Sequence, residues 1–139
     1  MIALALLLSA MLLAIAALHV YWGRGGLWPA SSEAELARTV VGTGQSRMPS
    51  AWACHAVAVL LVVVAAWPWL ILAWPEDPIV LTGRIVIAAV FFMRGLAAYS
   101  PRWRRSFPAE PFATRDRRLY APICMVLATG FVALLEREY

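Results

Sequence analysis

The sequence predicts an all-α fold, an integral membrane bundle of four transmembrane helices. Three observations predict it. Of 139 residues, 63% are apolar and only 14% charged, with a mean hydropathy of +0.73. That is more apolar surface than so short a chain buries in a water-soluble core. The apolar residues gather in four stretches near the ~20 residues that a helix needs to cross a bilayer. Arg-, Gly- and Pro-bearing segments separate those stretches. The chain is too short for a bundle plus a soluble domain, so residues 1–139 read as one domain.

The first span is expected over residues 2–21, interrupted only by Ser9 and His19. Its apolar run resembles a signal-peptide core but lacks a basic leader and is too long, so it reads as a retained helix. Gly23, Gly25 and Gly26 end it, and Trp22 and Trp28 sit where aromatic rings favour the headgroup level. The first loop covers residues 23–49. Within it, Ser32 followed by Glu35 reads as a capping box that opens a short interfacial helix over residues 32–41.

The second span is expected over residues 50–74, with Trp67, Trp69 and Trp74 forming an aromatic belt and Pro68 kinking the helix. The short turn Pro75-Glu76-Asp77-Pro78 makes spans two and three an antiparallel hairpin, with Asp77 as N-cap and Pro78 as first helical residue. The third span covers residues 79–99 and carries Arg84 and Arg94; Ser100 and Pro101 stop it. In the loop over residues 100–118, Pro101, Pro108 and Pro111 argue against a long helix. The fourth span covers residues 119–135, and the tail Glu136-Arg137-Glu138-Tyr139 follows.

All twelve basic residues are Arg, and the net charge is +4. Such a balance suits nucleic acid or an anionic membrane. Because these arginines flank apolar helices, membrane lipids are the expected partner and nucleic acid is not. The loops at residues 23–49 and 100–118 lie on one side of a four-span protein and hold most of the arginines. By the positive-inside rule they face the cytoplasm and both termini face outward. The expected location is a cytoplasmic (inner) membrane, crossed several times. A homo-oligomer or a larger membrane complex stays open.

With the spans antiparallel, polar side chains gather at the cytoplasmic boundary. His19 and Trp22 end span one, Cys54 and His55 begin span two, and Arg94 lies roughly 7 Å inside the end of span three. Asp116, Tyr120 and Cys124, spaced four apart, share one face at the start of span four. Arg94 and Asp116 are expected to form an ion pair, with Tyr120 and His19 completing its hydrogen bonds, at a cost of ~1–2 kcal/mol if broken. Arg94 has three readings: partner of Asp116, ligand for an anion, or a side chain snorkelling to the interface. His19 and His55 at one depth raise haem or metal, but nothing fixes their separation. Neither cofactor nor metal is expected, and no Ser-His-Asp order, HExxH, CxxC or phosphate loop is present. The two cysteines lie in apolar stretches and read as packing residues.

Three blocks carry a resemblance. They are His19-Val20-Tyr21-Trp22-Gly23 followed by Gly25-Gly26-Leu27-Trp28; Phe92-Met93-Arg94-Gly95; and Phe112 to Cys124, with Asp116, Tyr120 and Pro122 inside it. Together they resemble a bacterial family of small membrane proteins known only as domain of unknown function 3995. The resemblance spans nearly the whole chain. It implies a four-helix membrane protein with no assigned activity, and it picks out His19, Trp22, Arg94, Asp116 and Tyr120. His55 falls outside its blocks. Three functions are compatible with these residues. They are binding of an anionic lipid or amphipathic small molecule at the cytoplasmic leaflet, an enzyme on a lipid-soluble substrate with His19 or Asp116 as acid–base group, and an accessory subunit without a site.

Overall fold

A computed structural model describes residues 1–134. The last residue of the expected fourth span, Leu135, and the tail with Arg137 lie outside the described residues. The described chain is all helical. It comprises α1 (Ile2–Gly23), α2 (Glu33–Val40), α3 (Ala51–Ala73), α4 (Pro78–Ala97), α5 (Pro101–Ser106), α6 (Phe112–Arg115), a π-helical turn (Asp116–Tyr120) and α7 (Ala121–Ala133). Three helices, α1, α3 and α4, are long and apolar enough to cross a membrane.

Local chemistry sets the starts of these helices. Ser32 accepts from the Glu35 amide, 3.2 Å, and opens α2. The returning carboxylate of Glu35 reaches Ser31 instead of Ser32, accepting from both its hydroxyl and its amide. Those two bonds, with Arg38 nearby, hold the Glu35 carboxyl below the ordinary glutamate range. Ser50 caps α3 through the Ala53 amide. Asp77 caps α4 by accepting from the Ile79 and Val80 amides at 2.9 and 3.0 Å, and Pro78 fills the first turn, where its missing N–H costs nothing. Helical structure reappears at Phe112, seven residues before the expected start of the fourth apolar segment, and continues unbroken to Ala133.

α1 packs along α3 and α4 along α7; α3 meets α4 across their short turn, and α1 touches α7. The contact faces mix small residues with a few large ones. Ala5, Ala16, Ala58, Ala65, Ala88 and Ala128 are all buried. Gly95 admits α7 so closely that a methyl there would sit 2.8 Å from Met125 Cγ and 3.3 Å from the Ala121 carbonyl. Large side chains divide: Leu8, Leu12, Leu127 and Phe131 are buried in the core, whereas Val59 is 64% exposed, Leu60 63% and Ile79 75%. Small residues at the contacts let the helix backbones approach closely, as they do between helices packed in lipid.

Two polar ties cross the apolar region. Ser9 Oγ donates to the Ala65 carbonyl, 2.7 Å, and accepts from Trp69 Nε1, 3.0 Å, joining α1 to α3. Trp67 Nε1 donates to the Val80 carbonyl, 3.0 Å, joining α3 to α4. The belt tryptophans of the second apolar stretch thus divide: Trp67 and Trp69 serve as inter-helix struts, whereas Trp74 stays exposed.

Candidate functional site

The polar centre of the molecule is a closed triangle of Arg94, Asp116 and Trp103. Arg94 stands in the last turn of α4. Its Nη2 donates to Asp116 Oδ1 at 2.7 Å. Trp103, on α5, donates through Nε1 to the other carboxylate oxygen, Oδ2, at 2.9 Å. The Arg94 guanidinium lies over the Trp103 ring, 4.6 Å from its centroid, close enough for a cation–π attraction. Asp116 is 2% exposed and Arg94 30%. Both oxygens of a buried carboxylate are therefore satisfied by charge-assisted or N–H donors, which makes its burial tolerable. Arg94 Nη1 is buried without a hydrogen-bond partner among the described residues.

A widened turn aims Asp116. The Ala121 amide bonds to the Asp116 carbonyl, five residues back, closing a π-helical turn. Pro122 supplies a physical cause. It has no N–H for the carbonyl of Arg118 and its ring crowds that carbonyl, so the preceding turn opens. The extra residue changes the facing that a spacing of four would give. Ala121, fully buried, follows Asp116 towards α4 and lies against Gly95.

Tyr120 turns elsewhere. Its hydroxyl donates to the Thr39 carbonyl of α2, 3.0 Å. Tyr120 therefore does not complete the hydrogen bonds of the ion pair; Trp103 does. Tyr120 ends a chain of aromatic contacts, Trp103–Phe107–Phe112–Tyr120, with ring centroids 4.3, 6.0 and 5.7 Å apart. Phe112 packs on Gly42, and the Ala109 amide donates to the Gly42 carbonyl, 3.1 Å. The two Arg-bearing loops thus dock into a single cap that runs from the ion pair to α2.

His19 and Trp22 belong to a different structure. His19 Nδ1 lies 2.8 Å from the Ile15 carbonyl. A carbonyl only accepts, so Nδ1 carries the proton. The imidazole packs edge-on against Trp22 at 5.4 Å. Trp22 Nε1 donates to the Trp28 carbonyl, 2.8 Å, and the Trp28 amide donates to the Tyr21 hydroxyl, 3.2 Å. This lasso secures the chain as it leaves α1. His19 does not complete the Arg94–Asp116 pair, because its donor is used one turn back on its own helix. His55 stacks over Gly23. Cys54 and Cys124 are free thiols, and among the described residues no three His, Cys, Asp or Glu side chains stand close enough to hold a metal ion.

Two side chains escaped the sequence reading. Trp103 lies between prolines in a segment where no long helix is expected, and only the six-residue α5 gives its indole a direction. Arg84 is 5% exposed in α4, on the side of the molecule away from the ion pair. Its signal was available: a charge seven residues inside an apolar helix is costly unless accommodated by the protein.

Cavities flank α5 on two sides. One, of about 460 Å³, is lined by Met93, Leu96 and Ala97 of α4 together with Ser100, Arg102, Trp103 and Ser106. The other, of about 400 Å³, lies towards α6 and carries Arg104, Arg105, Glu110 and Arg117. Residues 12–131 match the model of a family described as protein of unknown function (DUF3995). No curated protein and no solved structure matches the chain.

Proposed function

The chain belongs to the DUF3995 family, whose description assigns no activity, and from this premise we propose that it is a four-span inner-membrane protein that binds an anionic phospholipid at the cytoplasmic leaflet. The fourth span is the unbroken helical run from Phe112 to Ala133, with Asp116 at headgroup depth. The observation that carries the lipid reading is the groove between α4 and α5. Its wall on α4 is Met93, Leu96 and Ala97, and its rim is Ser100, Arg102 and Ser106. An acyl chain runs along the α4 wall while the phosphodiester meets Arg102. The Arg94–Asp116–Trp103 triangle fixes the angle between α4 and α5, and so the width of that groove.

This assigns Arg94 to building the site instead of touching the ligand. The binding reading is preferred to the enzyme because the acid–base candidates are engaged or stand apart. Asp116 gives both oxygens to Arg94 and Trp103, and His19 stands on α1, which packs along α3, whereas Asp116 is held by the α4–α7 pair.

Two outcomes test the proposal. Protein in nanodiscs of mixed phosphatidylglycerol and phosphatidylcholine should enrich the anionic lipid in its retained shell, by native mass spectrometry. Arg102→Gln should weaken that enrichment about fivefold, the effect of one Arg at an anionic surface. Arg24→Gln, outside the groove, should change it less. Equal losses in the two variants would replace the groove by a diffuse surface potential.

For orientation, single cysteines at positions 46 and 106, in a protein lacking Cys54 and Cys124, should be shielded from an impermeant thiol reagent in intact cells. A cysteine at position 76 should be labelled. Labelling at position 106 from outside would reverse the leaflet and sink the proposal.

A further inference from the structure

We infer that the cavity between α5 and α6 is a binding site for a doubly charged phosphate group, a phosphomonoester in chemical class. The site is separate from the lipid groove, on the opposite face of α5. Arg102, Trp103 and Ser106 line the groove, whereas Arg104 and Arg105 face the α6 cavity together with Arg117.

Three arginines and one acid, Glu110, are among the residues lining an open depression of about 400 Å³. The lining therefore carries two net positive charges, because an Arg side chain does not deprotonate. Glu110 offsets one of the three charges but forms no ion pair with its neighbours: its Oε2 accepts from the Thr114 amide, 3.1 Å, at the start of α6. Among the described residues the one ion pair is Arg94–Asp116, so none of these three arginines has a carboxylate partner there. Gathering like charges in one concavity raises the local potential and favours an anion of matching charge. A carboxylate or phosphodiester brings one negative charge. A phosphomonoester brings close to two at neutral pH, with three acceptor oxygens for guanidinium forks.

The mount is built before any ligand arrives. Arg117 Nε donates to the Ala113 carbonyl, 3.1 Å, and its own carbonyl accepts from the Tyr99 hydroxyl, 2.9 Å. Phe107, between Trp103 and Phe112 in the aromatic chain, anchors the segment joining α5 to α6. Pro101 and Pro108 restrict its backbone. The arginines are thus presented from a restrained loop, which lowers the ordering cost of binding.

A phosphomonoester reaches this cavity either as a soluble species or as the headgroup of a lipid such as phosphatidic acid. The test uses the full chain in phosphatidylcholine nanodiscs, titrated with inorganic phosphate at neutral pH, and in parallel the same protein in nanodiscs containing phosphatidic acid or phosphatidylglycerol. Saturable phosphate binding that Arg117→Gln weakens about tenfold, that Glu110→Gln tightens, and that Arg24→Gln leaves unchanged supports a soluble ligand. Enrichment of phosphatidic acid over phosphatidylglycerol with the same response to the three variants supports the headgroup. Loss in Glu110→Gln as large as in Arg117→Gln, or binding of neither probe, overturns the site. The lipid groove is read separately through Arg102, so either proposal can fail alone.

Discussion

Arg94→Ala should destabilise the folded protein by roughly 3–5 kcal/mol, the range for leaving a buried charge without its partner, because the carboxylate it strands is the buried Asp116. Sequence alone points to a smaller cost, because it leaves the pair partly open to water. Arg94 does keep that access, with 30% of its side chain exposed, but Asp116 is 2% exposed. It also holds the Trp103 indole, so its removal leaves two donors without an acceptor. The substitution is read by thermal or denaturant unfolding in one lipid environment. Arg94→Ala and Asp116→Ala should each destabilise, and the double variant should cost less than their sum by roughly 0.5–3 kcal/mol. Trp103→Phe keeps a ring beneath Arg94 and removes the indole N–H; it should cost about 1–2 kcal/mol. If the losses of Arg94→Ala and Asp116→Ala simply add, the pair does not hold α4, α5 and the π turn together, and the groove that depends on it loses its support.

The sequence was most legible where the chemistry is local. Asp77 opens its helix as expected because a cap needs only a side-chain acceptor and the next amides. The Arg94–Asp116 pair was legible because a charge inside an apolar helix calls for an opposite charge, and Asp116 was the acid at that depth. Depth is all that such reasoning supplies. His19 shares the depth of Arg94, but α1 packs along α3 while α4 packs along α7, so the two sit in different helix pairs. Tyr120 was assigned to the pair by counting four residues from Asp116; the π turn before Pro122 breaks that count. Trp103 was out of reach because its direction follows from α5, six residues set between prolines. The capping box was half legible, since Glu35 could reach back to Ser31 or Ser32, and the chain entering α2 decides between them.

The second large effect is expected at Gly42, where the two loops of the cap meet. Gly42→Ala should cost roughly 2–5 kcal/mol, from two separable causes. The first is backbone conformation: Gly42 has φ +81°, which an L side chain adopts at a cost of about 1–2 kcal/mol. The second is space, because a methyl there would fall 2.1 Å from Phe112 Cδ1. Phe112 is buried, and its ring is held between Phe107 and Tyr120, so it has little room to retreat. Overpacking of this kind adds roughly 1–3 kcal/mol. Gly44 separates the causes. Its φ is +85°, nearly the same, but nothing lies within 4 Å of a methyl at that position. Gly44→Ala should therefore show the backbone cost alone. The difference between the two variants measures how firmly the first loop is clamped to the third. Gly42→Ala should also release the Ala109 amide from the Gly42 carbonyl and the Tyr120 hydroxyl from Thr39, so hydrogen exchange should rise over residues 39–42 and 109–113 while α1 and α3 stay protected. Equal stability losses at Gly42 and Gly44, with no change in exchange, would mean that the loops are not clamped and that the cap is two independent segments.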